Sequence, residues 1–171
     1  MAKHIRTCCF IDCYRGSLPV KINYEYKLIE IIKNLITNLY VTHFISGMEI
    51  GFEQLIAEIV VKLKGKHPNI TLEGVLPYED FTIEWNEDQR DKYYSLMEKI
   101  DKETLLQYHY TKDSIKNRNS YMINKSKYVV LLYNNTREFY DLVLYTRSNK
   151  KALFIIEPDT LNIKPKIKVF K

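Results

Sequence analysis

Short apolar runs alternate with longer amphipathic stretches along almost the whole 171-residue chain, and this alternation limits the fold more than any other feature. The apolar runs predict strands over 5–11, 42–45, 70–76, 104–108, 128–133, 152–156 and 163–170. The amphipathic stretches predict helices over 24–40, 52–64, 86–100, 112–125 and 137–148, with Asn86 as an N-cap. Strands that alternate with helices imply βαβ units joined by right-handed crossovers. The sequence therefore predicts an α/β chain with a Rossmann-like, three-layer architecture and a mostly parallel sheet.

The composition is that of an ordinary globular chain, because 46% of the residues are hydrophobic and 27% are charged. No repeat, low-complexity tract or linker divides the chain, so we expect one domain over 1–171, with 161–171 as an edge strand or tail. No apolar run approaches the roughly 20 residues that span a bilayer, and the N-terminus lacks a signal-peptide pattern. These features predict a cytoplasmic chain that does not bind a membrane.

The cysteines and the net charge of +5 constrain the kinds of site that the chain can carry. Cys8, Cys9 and Cys13 lie close together with no other cysteine to pair with, so we expect Cys8 and Cys9 to be reduced, partly buried strand residues. The histidines are scattered, and we predict neither a metal site nor a cofactor. The basic residues are spread along the chain instead of being clustered on one face, which does not favour a nucleic-acid surface.

The segment 44–51 is the strongest candidate for a binding site. Ligands of open α/β sheets bind beyond the carboxyl ends of the strands, where loops lead into helix N-termini. Gly47 permits a tight turn, Gly51 permits close packing at the helix start, and Ser46 offers a hydroxyl at the strand end, with Met48 between them. Glu49 would repel a phosphate but can accept a hydrogen bond from a ribose hydroxyl. A simple strand-to-helix turn explains the same pattern equally well.

Two further segments carry groups suited to a phosphate or a base. Arg118 and Asn119 offer a guanidinium fork and an amide on a predicted helix, although a polar run there is usually a solvated face. Asn134, Thr136 and Arg137 follow a predicted strand and can contact an anion. This second segment has no glycine, so we expect its backbone not to approach a ligand closely.

Trp85, at a predicted helix entrance, either stacks on a base or covers the core. No complete set of nucleophile, base and orienting group can be assembled, although Cys13, His43 and His109 are conceivable participants. Asp12 and Glu53 are the carboxylates best placed for proton transfer.

Six segments, in this order along the chain, resemble the YpsA-like branch of the SLOG superfamily: 8–10, 42–48, 57–60, 85–90, 104–107 and 118–122. The resemblance extends over about residues 7–158. It implies a Rossmann-like sheet with a site for nucleotides or for nucleotide-derived ligands such as ADP-ribose-type molecules. It also implies relatives among phosphoribohydrolases, defence-linked sensors and DNA-processing factors, some of them carried by phages and mobile elements. Relatives with this sheet often form dimers, so the resemblance also implies a homodimer or a higher homo-oligomer.

The departures from the branch concern the loops that would hold a phosphate. After its first strand the branch usually has Thr-Gly-His-Arg-Pro, where this chain has Asp12 in place of the glycine and Arg15 one position away from the arginine. Glu49 replaces a small residue, and Glu53 stands where the branch has aspartate. The third loop, 134–139, has no glycine.

The resemblance and its departures together predict a non-catalytic SLOG-like domain that binds a nucleotide-derived signal, as a sensor or a sequestering protein. Two alternatives stay open. One is a nucleoside-monophosphate N-glycosidase in which Glu53 and Arg118 support cleavage. The other is a protein-interaction module with a degenerate pocket, which Asp12 or Phe139 filling the space above Gly47 would favour.

Overall fold

The computed structural model describes residues 5–14 and 24–167. Within them, one sheet contains the strands β1 Thr7–Asp12, β2 His43–Ser46, β3 Thr71–Leu76, β4 Lys102–Leu105, β5 Tyr128–Leu132, β6 Ala152–Ile156 and β7 Ile163–Lys164. The α-helices are α1 Tyr24–Asn38, α2 Phe52–Lys64, α3 Glu87–Met97, α4 Ser114–Lys125 and α5 Tyr140–Ser148. A single 3-10 turn, Arg137–Phe139, precedes α5. The predicted Rossmann-like α/β fold is confirmed.

The strand order is β4-β3-β2-β1-β5-β6-β7, and only β7 runs antiparallel to its neighbour. From β1 the chain first builds outward through β2, β3 and β4, and then returns to place β5 on the other side of β1. The direction of winding therefore reverses between β1 and β5, whose carboxyl ends pair Asp12 with Leu132. In open parallel sheets such a reversal opens a crevice at the carboxyl edge.

Two apolar clusters cover the two faces of the sheet, which gives the three layers. Because side chains alternate along a strand, Phe10 of β1 faces the cluster that includes α1, α2 and α3. Cys9 and Ile11 face the opposite cluster, which includes α4 and α5. Cys8 and Cys9 are fully buried, whereas the sequence predicted partial burial, because β1 lies at the centre of the sheet.

The helix that follows β3 begins where the sequence predicts. The Asn86 side chain accepts a hydrogen bond from the Gln89 amide at 2.9 Å, and the Gln89 side chain accepts one from the Asn86 amide at 3.1 Å. This reciprocal pair satisfies two amides that the helix itself leaves without partners. The helix ends at Met97, three residues earlier than expected, because the Asp101 amide bonds the Leu72 carbonyl and leads the chain into β4.

Several other predicted bounds are wrong. The strand expected over 104–108 is β4, which starts at Lys102 because it pairs there with Glu73 of β3. The helix expected over 112–125 begins at Ser114, and the one expected over 137–148 begins with the 3-10 turn. The strand expected over 163–170 includes only Ile163–Lys164, since Pro165 has no amide hydrogen, and 168–170 lie outside the described residues.

No helix among the described residues is long and apolar enough to cross a membrane.

Candidate functional site

The turn between β2 and α2 is closed by the Ser46 hydroxyl. This buried group accepts a hydrogen bond from the Met48 amide at 3.1 Å and donates one to the Glu53 carbonyl at 3.0 Å. Met48 has a φ of 59° and Gly51 a φ of 99°, so the backbone passes twice through the left-handed region. A Cβ on Gly51 would meet nothing within 4 Å, which means that conformation, not space, favours glycine there.

Gly47 is required for a different reason, which is close approach. A Cβ at this position would lie 2.5 Å from Glu53 Oε2 and 2.8 Å from Arg118 Cζ. The space above Gly47, which the sequence suggested Asp12 or Phe139 might fill, is therefore occupied by the Glu53 and Arg118 side chains. The turn, the first residues of α2 and the middle of α4 form one packed unit.

Glu53 is the centre of this unit and is 1% exposed. Its Oε1 accepts a hydrogen bond from the Asp12 amide at 3.0 Å, and its Oε2 accepts one from the Glu49 amide at 3.2 Å. The guanidinium of Arg118 lies 3.9 Å away. Burial raises the pKa of Glu53 above its ordinary value, with Glu49 acting in the same direction and Arg118 against it.

Arg118 is 2% exposed and is engaged by protein groups on both sides of its guanidinium. Nη1 donates to Glu49 Oε2 at 2.6 Å and to the Gly47 carbonyl at 3.3 Å. Nε and Nη2 donate to Asn119 Oδ1 at 3.4 and 3.3 Å. The neighbouring Glu53 and Glu49 carboxylates raise the pKa of Arg118 although burial opposes this. Arg118 and Asn119 therefore do not form the solvated face that was the alternative interpretation, since both are buried.

Glu49 links this buried unit to the solvent. Its side chain is 44% exposed, although one carboxylate oxygen is held by Arg118. Tyr78, which follows β3, lies close enough that Glu49 contributes to raising the Tyr78 pKa, after burial. The Tyr78 ring contacts the Tyr110 ring with centroids 5.3 Å apart. Sequence reasoning missed these two tyrosines, and the available signal was an aromatic residue directly after Pro77 at a strand end.

The end of β1 adjoins the same unit. The Asp12 carboxylate accepts a hydrogen bond from the Tyr14 amide at 2.9 Å, while the Asp12 amide is bonded to Glu53. Cys13 is buried and close enough to Arg118 to contribute to its raised pKa. Arg15, a predicted anion contact, lies outside the described residues.

The loop after β5 lies beside the end of β1 because Leu132 pairs with Asp12. Asn135 has a φ of 62°, so asparagine adopts here the left-handed conformation that a glycine would otherwise supply. The expectation that this glycine-free backbone does not approach a ligand closely stays a prediction. Asn134 and Arg137 are exposed, and the buried Thr136 hydroxyl has no hydrogen-bond partner among the described residues. These side chains stay predicted ligand contacts.

Trp85 is half-buried and packs edge-on against aromatic neighbours. Its ring centroid is 4.9 Å from that of Phe81 and 5.5 Å from that of Tyr93. Within the described residues these are its ring contacts, which favours the interpretation that Trp85 covers the core. A role in stacking on a base stays a prediction.

A second buried polar cluster, which the sequence did not reveal, surrounds Glu73 of β3. This carboxylate is 3% exposed and accepts hydrogen bonds from Thr104 Oγ1 at 2.6 Å and Tyr121 OH at 3.1 Å; His43 Nε2 lies 2.9 Å and Lys102 Nζ 3.3 Å from it. Burial would raise its pKa, but the hydrogen bonds from His43 and Thr104 and the charge of Lys102 lower the pKa of Glu73 to about 2. His43 is therefore held in this cluster, away from the β2–α2 turn.

Three of the described helix N-termini at the carboxyl edge have no side-chain cap. Gly51 before α2, Asp113 before α4 and Phe139 before α5 make no side-chain capping bond, in contrast to Asn86 before α3. The amides at such helix starts are suited to binding acceptors. The described residues contain no group of three or more His, Cys, Asp or Glu that could hold a metal ion.

Several known proteins are similar in sequence to this chain. A UPF0398 protein of Halalkalibacterium halodurans is 27% identical over 130 residues, which cover 75% of this chain and 66% of that protein. A UPF0398 protein of Lactobacillus helveticus is 34% identical over 83 residues, which cover 48% of this chain and 43% of that protein. The chain thus spans less than two thirds of the length of these two relatives. The SPbeta prophage-derived protein YoqJ of Bacillus subtilis is 28% identical over 131 residues, covering 70% of this chain and 77% of that protein.

Among solved structures, DNA processing protein A from Helicobacter pylori, reported for its single-stranded DNA binding mode, matches with a TM-score of 0.58. The match covers 89% of this chain and 65% of that one at 13% identity, so it shows the fold alone. The YpsA family model, described as the YspA SLOG family, matches residues 21–161. The resemblance drawn from the sequence segments is confirmed, and the chain belongs to the YpsA family of SLOG proteins.

Proposed function

We propose that this chain binds a nucleotide-derived small molecule, such as an ADP-ribose-like signal, at the carboxyl edge of the sheet, without converting it. The observation that carries the proposal is the packing of Gly47 against Glu53 and Arg118. This packing holds the turn before the uncapped start of α2 rigidly, next to the reversal between β1 and β5. A preorganised turn in that position is where open α/β sheets bind their ligands.

The charges around the turn favour a ribose there over a phosphate. Glu49 is bonded to Arg118 through Oε2, and its Oε1 has no hydrogen bond among the described residues. An exposed carboxylate oxygen accepts hydrogen bonds from a ribose diol, whereas Glu49 and Asp12 together repel a phosphate. We assign the sugar of the ligand to this side of the crevice.

The loop after β5 is better suited to the phosphate. Arg137 is exposed, Asn134 offers an amide, and the Thr136 hydroxyl lacks a partner among the described residues. The three residues stand at the start of the 3-10 turn that leads into α5. A cation and two neutral donors in that position can bind an anionic group without an opposing charge from Glu49.

Glu53 and Arg118 use their polar atoms for hydrogen bonds and an ion pair within the protein, which supports a binding function without catalysis. A general base must come within hydrogen-bonding reach of the proton that it removes, and Glu53 is 1% exposed. The relative derived from the SPbeta prophage supports a place among mobile elements, where a domain that sequesters or senses a nucleotide signal is useful. The buried thiols of Cys8 and Cys9 fit a reducing, cytoplasmic compartment.

The test is isothermal titration calorimetry with ADP-ribose, cyclic ADP-ribose isomers, AMP and ATP. Glu49→Gln and Arg137→Ala should each weaken binding about tenfold, as expected for the loss of a hydrogen bond to a charged group. Glu98→Gln and Arg147→Ala are the matched controls, since both side chains are exposed elsewhere, and they should leave the affinity unchanged. A folded protein that binds none of these compounds refutes the proposal and favours an interaction module instead.

One observation favours catalysis as a second candidate, namely the raised pKa of Glu53 at the edge of the crevice. In that case Glu53 would act on the N-glycosidic bond of a nucleoside monophosphate, with Arg118 positioning it. Chromatography would then detect free adenine after incubation with AMP, and Glu53→Gln would abolish it. Intact AMP after prolonged incubation refutes this candidate and leaves the binding proposal unaffected.

A further inference from the structure

A basic cleft lies at the amino edge of the sheet, away from the proposed ligand site. It has a volume of about 350 Å³ and is formed where α4 passes into β5, where α5 passes into β6, and where β1 begins. The lining residues are Ile5, Thr7, Asn124, Lys125, Ser126, Lys127, Asn149, Lys150 and Lys151. Four of these residues are lysines, and the described residues that line the cleft include no aspartate or glutamate.

Contacts with the rest of the protein fix the positions of three of the four lysines. The Lys151 ammonium donates to the Asn124 carbonyl at 3.0 Å and ties the two turns together. The Lys125 ammonium lies 5.8 Å from the centroid of the Tyr121 ring, and that of Lys127 lies 5.5 Å from the Tyr128 ring. These contacts hold the ammonium groups close to the surface and reduce the entropy that a ligand would have to remove.

The turn between α5 and β6 is also well ordered. The backbone amide and the side-chain amide of Asn149 both donate to the Tyr145 carbonyl, at 3.1 and 2.8 Å. Lys150 follows with a φ of 56°, a conformation more often adopted by glycine or asparagine. The Tyr145 hydroxyl donates to Asn124 Oδ1 at 3.0 Å, which joins this turn to the end of α4.

Stabilisation of helix ends does not account for the whole cluster. Lys125 is in the last turn of α4, where a cation interacts favourably with the helix dipole. Lys127 and Lys150 lie beyond the helices, are exposed, and form no ion pair among the described residues. The Ser126 hydroxyl is buried beside the Cys9 thiol and is not available to a ligand in the cleft. The cleft thus presents cations that no carboxylate among the described residues neutralises.

From this arrangement we infer a second binding site, which takes a small anion with two or more linked phosphate groups. Lysine ammonium groups bind phosphate as point charges, and several in one small cleft favour a compact polyanion. The lining residues offer no exposed aromatic ring on which a base could stack, which is why a phosphate chain fits better than single-stranded nucleic acid.

The experiment is a titration of the full chain with inorganic tripolyphosphate at low ionic strength, followed by calorimetry. Wild-type protein should release heat with a saturable isotherm. Lys127→Glu and Lys150→Glu should each weaken binding about tenfold or more, because reversal removes an attraction and adds a repulsion at close range. Lys33→Glu, which reverses an exposed charge on α1, is the matched control and should change the affinity by less than about twofold.

Three results would overturn the inference. They are the absence of saturable heat with tripolyphosphate, an equal loss of affinity in Lys33→Glu, and markedly tighter binding of a single-stranded oligonucleotide that Lys150→Glu also weakens. The last result would identify the cleft as part of a nucleic-acid surface. Circular dichroism of each variant checks that it is folded, and the loss of affinity in Lys127→Glu and Lys150→Glu distinguishes this cleft from the phosphate contacts proposed at the carboxyl edge.

Discussion

Substitution of Gly47 by alanine tests the packing on which the candidate site depends. The new Cβ would lie 2.5 Å from Glu53 Oε2 and 2.8 Å from Arg118 Cζ and Nε, so both buried side chains must move. Movement weakens the bonds from the Asp12 and Glu49 amides to Glu53 and the bond from Arg118 to the Gly47 carbonyl. Overpacking and the partial loss of a buried pair together predict a loss of about 3 kcal/mol in the free energy of unfolding.

The assay is urea unfolding followed by circular dichroism, and two other glycines serve as controls. At Gly65 the backbone is right-handed helical and a Cβ would meet the Lys62 carbonyl at 3.7 Å, so Gly65→Ala should be neutral or stabilise by about 0.5 kcal/mol. At Gly51 space is open but φ is 99°, so Gly51→Ala should lose about 1 kcal/mol through backbone strain alone.

The order of the three changes in the free energy of unfolding shows whether close packing or backbone conformation dominates the turn. If Gly47→Ala unfolds within about 0.5 kcal/mol of the wild type, the Glu53 and Arg118 side chains are not fixed against the turn, and the proposed rigidity is wrong. If Gly51→Ala loses more than Gly47→Ala, conformation and not close packing dominates the turn. In a domain of this size, a loss of about 3 kcal/mol should also lower the Tm by roughly 6 to 12 °C.

Three further perturbations have definite expected outcomes. Because the pKa of Glu73 is lowered to about 2, its contribution of about 3 kcal/mol is complete above about pH 4.5 and is lost as the pH falls toward 2. The destabilisation by Glu73→Gln in urea unfolding should therefore shrink by roughly half between pH 7 and pH 3, and a constant difference would contradict this. In thermal unfolding, Asn86→Ala should destabilise the protein by about 1 kcal/mol, whereas Asp113→Ala, which removes no capping bond, should leave the stability nearly unchanged. Equal effects of the two substitutions would refute the capping assignment. Arg118→Met should lose about 3 to 5 kcal/mol in denaturant unfolding because it leaves the buried Glu53 carboxylate without a countercharge, and adding Glu53→Gln should recover part of the loss. Strictly additive losses would contradict the pairing.

The fold could be predicted from the sequence because the patterns that indicate it are local. The bounds of α2 and β6 agree with the sequence prediction residue for residue, since each is a periodic segment with clear terminating residues beside it. The start of α3 was equally accessible, because Asn86 and Gln89 are close along the chain. Weakly patterned segments such as β4 were placed inaccurately, because the pairing partner β3 sets where that strand begins.

The candidate site was only partly accessible from the sequence. Ser46, Gly47 and Gly51 could be identified because a strand end, two glycines and a helix start follow one another directly. The role of Arg118 could not, since its partners Gly47 and Glu49 are 71 and 69 residues away. The polar segment around Arg118 has the composition of a solvated helix face, and only packing against the β2–α2 turn shows it to be buried.

By itself, then, the amino-acid sequence of this protein determines the fold class, the order of its elements and the turn at which a ligand site is expected. Those properties follow from side-chain periodicity and turn residues, which act over a few positions. The tertiary structure alone decides that Glu53 and Arg118 stabilise the turn instead of projecting into the crevice, and that four lysines from two turns line one cleft. Burial and charge clustering arise between segments far apart along the chain, and such distances are defined only after the sheet has formed.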